Sequence, residues 1–118
     1  MHRDLDLIRQ ILLELEQHDD PSRDVKLQCP GYTDDQISHH VKIMAEHGFL
    51  EAINFSTLSR MEWRPTSLTW EGHEFLDAAR NATVWRKLKV ELKDRGISLP
   101  MSLIQQLALK ITAKMAGL

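Results

Sequence analysis

TDDQISHHVKIMAEHGFLEAINFSTLSRMEWRPTSLTWEGHEFL, residues 33–76, is the stretch on which the fold is decided. Thr33 with Gln36 three residues later has the spacing of a capping box, in which each side chain satisfies the other residue's backbone N–H. A helix is therefore predicted to start at Asp34. Ile37, Val41, Met44 and Ala45 form its buried stripe, and Gly48 supplies the left-handed residue that stops it. Phe49 to Phe55 carries one charge, Glu51, and its Leu50, Ile53 and Phe55 suit a half-buried strand. The loop Ser56–Arg60, with Leu58 as its one apolar residue, leads to a second strand holding Met61, Trp63 and Leu68. Pro65 has no N–H to give a ladder, so that part is predicted at an edge or a bulge. Thr69 then caps a helix with Phe75, Leu76 and Ala79 on its core face, and Gly72 within it implies close approach to the hairpin. Helix, hairpin, helix is the layout of a winged helix-turn-helix domain.

Working outward, Leu5, Ile8, Ile11, Leu12 and Leu15 mark an amphipathic helix over about residues 2–18, ended by Asp19-Asp20-Pro21-Ser22. Val25-Lys26-Leu27 alternates as a short strand would, and Pro30-Gly31 turns the chain. Beyond the quoted stretch, Asn81 can end the helix. A further capped helix is predicted after Thr83, with Trp85, Leu88 and Leu92 inward and Gly96 closing it. After Ser98 and Pro100, Ile104, Leu107, Ala108, Ile111 and Met115 share one side of a last helix. The expected fold class is mainly α with a small β-hairpin: a winged-helix-like core over residues 1–82 and a C-terminal helical extension over 83–118. A full winged helix places two helices between its first strand and its hairpin. Only about five residues separate Leu27 from Thr33, so the supporting helix is predicted to be missing or reduced to a turn.

Hydrophobic content of 42% with 27% charged residues, in 118 residues, describes one soluble domain rather than a disordered chain. No apolar run approaches the roughly 18 residues of a membrane span, and Met1-His2-Arg3-Asp4 leads into the first helix without an apolar leader core. Cys29 is the single cysteine, which excludes an internal disulfide and a cysteine zinc site. Together these point to a cytoplasmic protein with no membrane partner. The net charge of −2 conceals a polarity. Residues 1–51 carry five Lys/Arg against eleven Asp/Glu, whereas residues 84–118 carry seven against two.

Several segments resemble an uncharacterised bacterial and phage family, domain of unknown function 2513. The likeness rests on Arg3-Asp4-Leu5-Asp6-Leu7-Ile8-Arg9, on Gly31-Tyr32 with Ile37-Ser38-His39-His40-Val41, and on Gly48-Phe49-Leu50-Glu51-Ala52. Its most specific part is Leu68-Thr69-Trp70-Glu71-Gly72-His73-Glu74-Phe75-Leu76-Asp77, followed by Trp85-Arg86-Lys87. The chain also looks like a wider set of small phage-associated winged-helix-like proteins. The resemblance implies a fold and carries no activity.

Two functional expectations follow. The first is a DNA-binding regulator, holding double-stranded DNA with Arg60, Arg64, Arg86, Lys89 and Lys93 on phosphate and Gln36 and Lys42 nearest the bases. Against it, the outward positions of the helix after Thr33 read as Asp35, Gln36, Ser38, His39, Lys42 and Glu46, a set poor in base-reading residues. The second is a protein-interaction module, with Ile104, Leu107, Ile111 and Met115 as a contact for another protein or a second copy. Metal binding is not expected: His39 and His40 diverge by about 100° on a helix, and His40 and His47 stand roughly 10 Å apart. His73 reads as a packing residue. No catalytic residue, cofactor or enzyme signature is identified: there is no glycine-rich phosphate loop and no Gly-x-Ser-x-Gly elbow.

Overall fold

Asp4 starts the first helix, its Oδ1 accepting the Leu7 N–H at 3.1 Å. The computed structural model describes residues 2–18, 20–95 and 99–117. Helix α1 runs Leu5–Glu16; Ile8, Ile11, Leu12 and Leu15 of the stripe read from sequence face the core at 0–2% exposed, Leu7 joins them, and Leu5 is half-buried. Asp19, expected to help end this helix, and Gly96 and Ser98, expected between the last two helices, lie outside the described residues.

Val25-Lys26-Leu27 is not a strand. The Val25 N–H donates to the Pro65 carbonyl at 2.8 Å, but proline has no N–H to return, so this pairing does not propagate. Leu27 and Cys29 are buried, and a turn closed by the Tyr32 N–H on the Cys29 carbonyl stands where a supporting helix would be.

Helix α2, Asp34–Glu46, begins in the expected capping box, with the Gln36 N–H on Thr33 Oγ1 at 3.1 Å and the Thr33 N–H on Gln36 Oε1 at 2.8 Å. Gly48, at φ +87°, ends it in a conformation that a side chain would strain. Strands β1, Leu50–Asn54, and β2, Trp63–Leu68, then pair antiparallel, Leu50 opposite Leu68 and Asn54 opposite Trp63. A bulge interrupts the register between Glu51 and Ala52, beside Pro65 as the missing N–H requires.

Helix α3, Trp70–Ala79, is capped by Thr69, whose Oγ1 accepts the Gly72 N–H at 3.1 Å. A Cβ at Gly72 would collide with the Phe49 carbonyl oxygen, which also accepts the Thr69 N–H at 3.2 Å. Glycine is needed here for the close approach inferred from sequence. Helix α4, Ala82–Arg95, starts earlier than expected. Asn81, not Thr83, caps it, its Oδ1 accepting the Thr83 and Val84 N–H groups at 2.8 and 3.1 Å. Helix α5, Met101–Met115, follows Pro100 and packs against α4.

The chain divides into two units, Met1–His73 and Glu74–Leu118, the division falling within α3. In the first, α1, α2 and the hairpin enclose the core. In the second, Phe75, Leu76, Val84, Trp85, Leu88 and Ile104 are buried. Among the described residues no helix is long and apolar enough to cross a membrane.

Candidate interaction surfaces

The cations predicted to meet phosphate in the first unit are held by carboxylates of their own chain. Arg64 sits between Asp24 and Glu62, with N···O distances of 3.1 and 3.2 Å, and its guanidinium lies 5.2 Å from the centroid of the Phe55 ring. The hydrogen bond it donates to Asp24 raises its already high pKa further. Arg60 lies 3.6 Å from both Asp34 and Glu62. Lys42 stands 3.9 Å from Glu46, one turn on along α2. Gln36 gives its carboxamide oxygen to the capping box. Exposed ion pairs add little stability, about 0–1 kcal/mol each, but a phosphate approaching here meets fixed carboxylates rather than open cations.

Two polar residues of α2 are turned inward, contrary to the outward position assigned to Ser38. Its Oγ accepts the Trp63 N–H at 3.2 Å, so this hydroxyl anchors β2 and is not available to bases. His40 is 1% exposed, its Nδ1 lying 2.7 Å from the Gln36 carbonyl and its Nε2 accepting the Asp4 N–H at 2.8 Å. An amide can only donate, so the hydrogen resides on Nδ1 and both ring nitrogens are occupied. Burial, with His40 beside it, lowers the pKa of His39, which disfavours positive charge at this point of the helix. Asp4 Oδ2 accepts the Tyr32 hydroxyl at 3.0 Å, and burial with that bond pushes the phenol up to about 12. Burial likewise pushes the Cys29 thiol up to about 11, which makes it a poor nucleophile. His73, read as a packing residue, is exposed.

The hairpin offers apolar surface instead. Ile53 (41%), Phe55 (43%), Leu58 (111%) and Met61 (39%) are exposed, with Leu58 at the tip of the loop. That loop is ordered by its own bonds: Phe55 N–H to Glu62 C=O, Thr57 N–H to Arg60 C=O, both 2.8 Å, and Glu62 N–H to Ser56 Oγ at 2.9 Å. Between it and the start of α2 lies an open groove of about 630 Å³, lined by Thr33, Asp34, Asp35, Ser59, Arg60 and Met61. Its charge is net acidic.

In the second unit the basic residues of α4 separate. At about 100° per residue, Arg86, Lys89 and Lys93 share one flank and Lys87 falls on another. Arg86 is exposed and reaches Thr83 Oγ1 at 3.4 Å; Lys93 is exposed and Lys89 half-buried. Lys87 borders a groove of about 500 Å³ between α4 and α5, with Glu91, Leu107, Lys110, Ile111, Lys114 and Met115. The expected contact residues thus part company. Leu107, Ile111 and Met115 line the groove, whereas Ile104 is 1% exposed and already enclosed.

The family model described as "Hypothetical protein (DUF2513)" matches residues 2–98. The chain belongs to the DUF2513 family. An uncharacterized protein of Haemophilus influenzae (strain Rd) is 38% identical to it over 116 residues, 98% of each chain. No solved structure matches the chain. In this DUF2513 protein, sequence reading singled out the arginines of the hairpin, with Glu62 between them, and overlooked Asp24 and Asp34, which also hold them. Asp24 and Asp34 precede the hairpin in sequence, and nothing local marks them as its partners. Ile53, Phe55 and Met61 alternate as a half-buried strand would, which disguised their exposure. The one available signal was Leu58, an apolar residue alone in a polar loop.

Proposed function

We propose that this DUF2513 protein is a non-enzymatic, winged-helix-like interaction module whose hairpin engages another protein. The observation that carries the reading is the exposure of four large apolar side chains within residues 53–61, with Leu58 fully in solvent. Burying a leucine is worth roughly 1.5–3 kcal/mol, a gain this fold leaves untaken at its hairpin tip. Clustered exposure of that kind marks contact surfaces on soluble proteins. The flanking charge favours a partner segment with an apolar residue beside basic ones, because Asp34 and Asp35 wall the adjoining groove and Arg60 and Arg64 are already neutralised.

Affinity purification of the intact protein from its native host tests this. Wild type should retain a discrete protein in stoichiometric amount, and Leu58→Asp or Ile53→Asp should lose it while unfolding at an unchanged temperature. Unaltered retention in both variants would overturn the reading.

A second reading, nucleic-acid binding, draws support from the flank of α4 bearing Arg86, Lys89 and Lys93, since residues 84–118 hold seven basic against two acidic side chains. It requires retention on mixed duplex DNA that falls steeply with salt and is lost on Arg86→Glu with Lys93→Glu. Binding insensitive to both would end it.

A further inference from the structure

The groove between α4 and α5 is amphipathic, and its chemistry is independent of the hairpin. Leu107, Ile111 and Met115 recur every four residues along α5 and form an apolar line about 12 Å long, two turns of helix. Met115 is 45% exposed, and so is Leu103, one turn before Leu107 on the same side of α5. Lys110 and Lys114 stand beside that line, Lys87 faces them from α4, and Glu91 is the one acid in the lining. The surface therefore combines apolar contact with an excess of positive charge.

We infer that this groove receives an acidic amphipathic helix of another protein. A helix laid along α5 would set apolar side chains at i, i+4 and i+7 against Leu107, Ile111 and Met115. Its flanking glutamates or aspartates would meet the ammonium groups of Lys87, Lys110 and Lys114, whose methylene stems widen the apolar wall. A second copy meeting face to face would set one net-positive lining against another, which disfavours that occupant. The chain's own acidic amphipathic helix does not qualify either, because Leu7, Ile8, Ile11, Leu12 and Leu15 of α1 are 0–2% exposed within the first unit. Phosphate would gain from the lysines but nothing from the apolar line.

The test is fluorescence anisotropy on the full chain, titrated against a labelled fourteen-residue helical peptide with leucine at i, i+4 and i+7 and glutamate on its remaining faces. Two control peptides replace glutamate by lysine or leucine by serine. Only the glutamate–leucine peptide should bind, and Lys110→Glu with Lys114→Glu should weaken it at least tenfold. Met115→Asp, at an exposed position, should do so as well; circular dichroism would show that each variant keeps its fold. Three outcomes would overturn the proposal. These are equal binding of either control peptide, no effect of the lysine reversals, or a concentration-dependent dimer in sedimentation that the peptide fails to displace.

Discussion

Arg64 and Asp24, forty residues apart in sequence, are joined by a hydrogen-bonded ion pair of 3.1 Å. The pair ties the extended segment before α2 to β2, and together with Glu62 it neutralises a residue that sequence alone assigns to phosphate. Both side chains are about one-third exposed, at 32% and 30%, so the pair is partly screened. A double-mutant cycle of Asp24→Ala and Arg64→Ala in urea unfolding should give a coupling of about 0.5–1 kcal/mol, reduced in high salt. A coupling of zero at low salt would mean that Arg64 is not held.

Gly72→Ala separates helix propensity from close packing. On an exposed helix the change stabilises by about 1 kcal/mol. Here the added methyl meets the Phe49 carbonyl, so we expect a net loss of about 2 kcal/mol, read as a lower urea midpoint with an unchanged slope. A stabilised variant would show that α3 can move off the strand entry at no cost.

His40 is expected to act as an acceptor for the first helix. His40→Leu keeps much of the volume but leaves the Asp4 N–H without a partner, which should cost about 1–3 kcal/mol in denaturant unfolding. His40→Gln can place an acceptor near the same point and should recover part of the loss. Equal stability of both variants and wild type would remove the hydrogen bond from the account.

Tyr32 is the single tyrosine, so its ionisation can be followed by ultraviolet absorbance without interference from another phenol. The midpoint in the folded protein should lie near 12, against 10.0 for an unperturbed phenol. Because the folded pKa is the higher one, the unfolded chain loses its proton first. Stability is therefore unaffected by this group below about pH 10 and falls as pH rises toward 12. Tyr32→Phe should remove that part of the alkaline loss.

What could be read from sequence was what is decided locally. The box of Thr33 and Gln36, the stop at Gly48, the cap at Thr69 and the bulge beside Pro65 all depend on neighbours within a few residues. What could not be read depends on distant partners. Ser38 is buried because an N–H arrives from Trp63, and His40 because one arrives from Asp4. The predicted strand at Val25 failed for the complementary reason: its alternation was correct, but its neighbour across the gap is a proline carbonyl. Asn81 was ambiguous because asparagine serves helix ends and helix starts alike, and Arg80 and Asn81 are all that separate α3 from α4. The candidate site was the least legible part. Charge and alternation pointed at arginines and a half-buried strand, and only three-dimensional placement showed Asp24 and Asp34 on the arginines and the solvent on Ile53 and Phe55.

The most direct measurement is a photo-crosslinking amino acid placed at position 58 of the intact protein in its native host. Irradiation should yield discrete protein adducts that survive nuclease treatment and fade when Ile53→Asp is added. Adducts that disappear on nuclease treatment, and persist in the Ile53→Asp background, would contradict the account by making the hairpin tip a nucleic-acid contact.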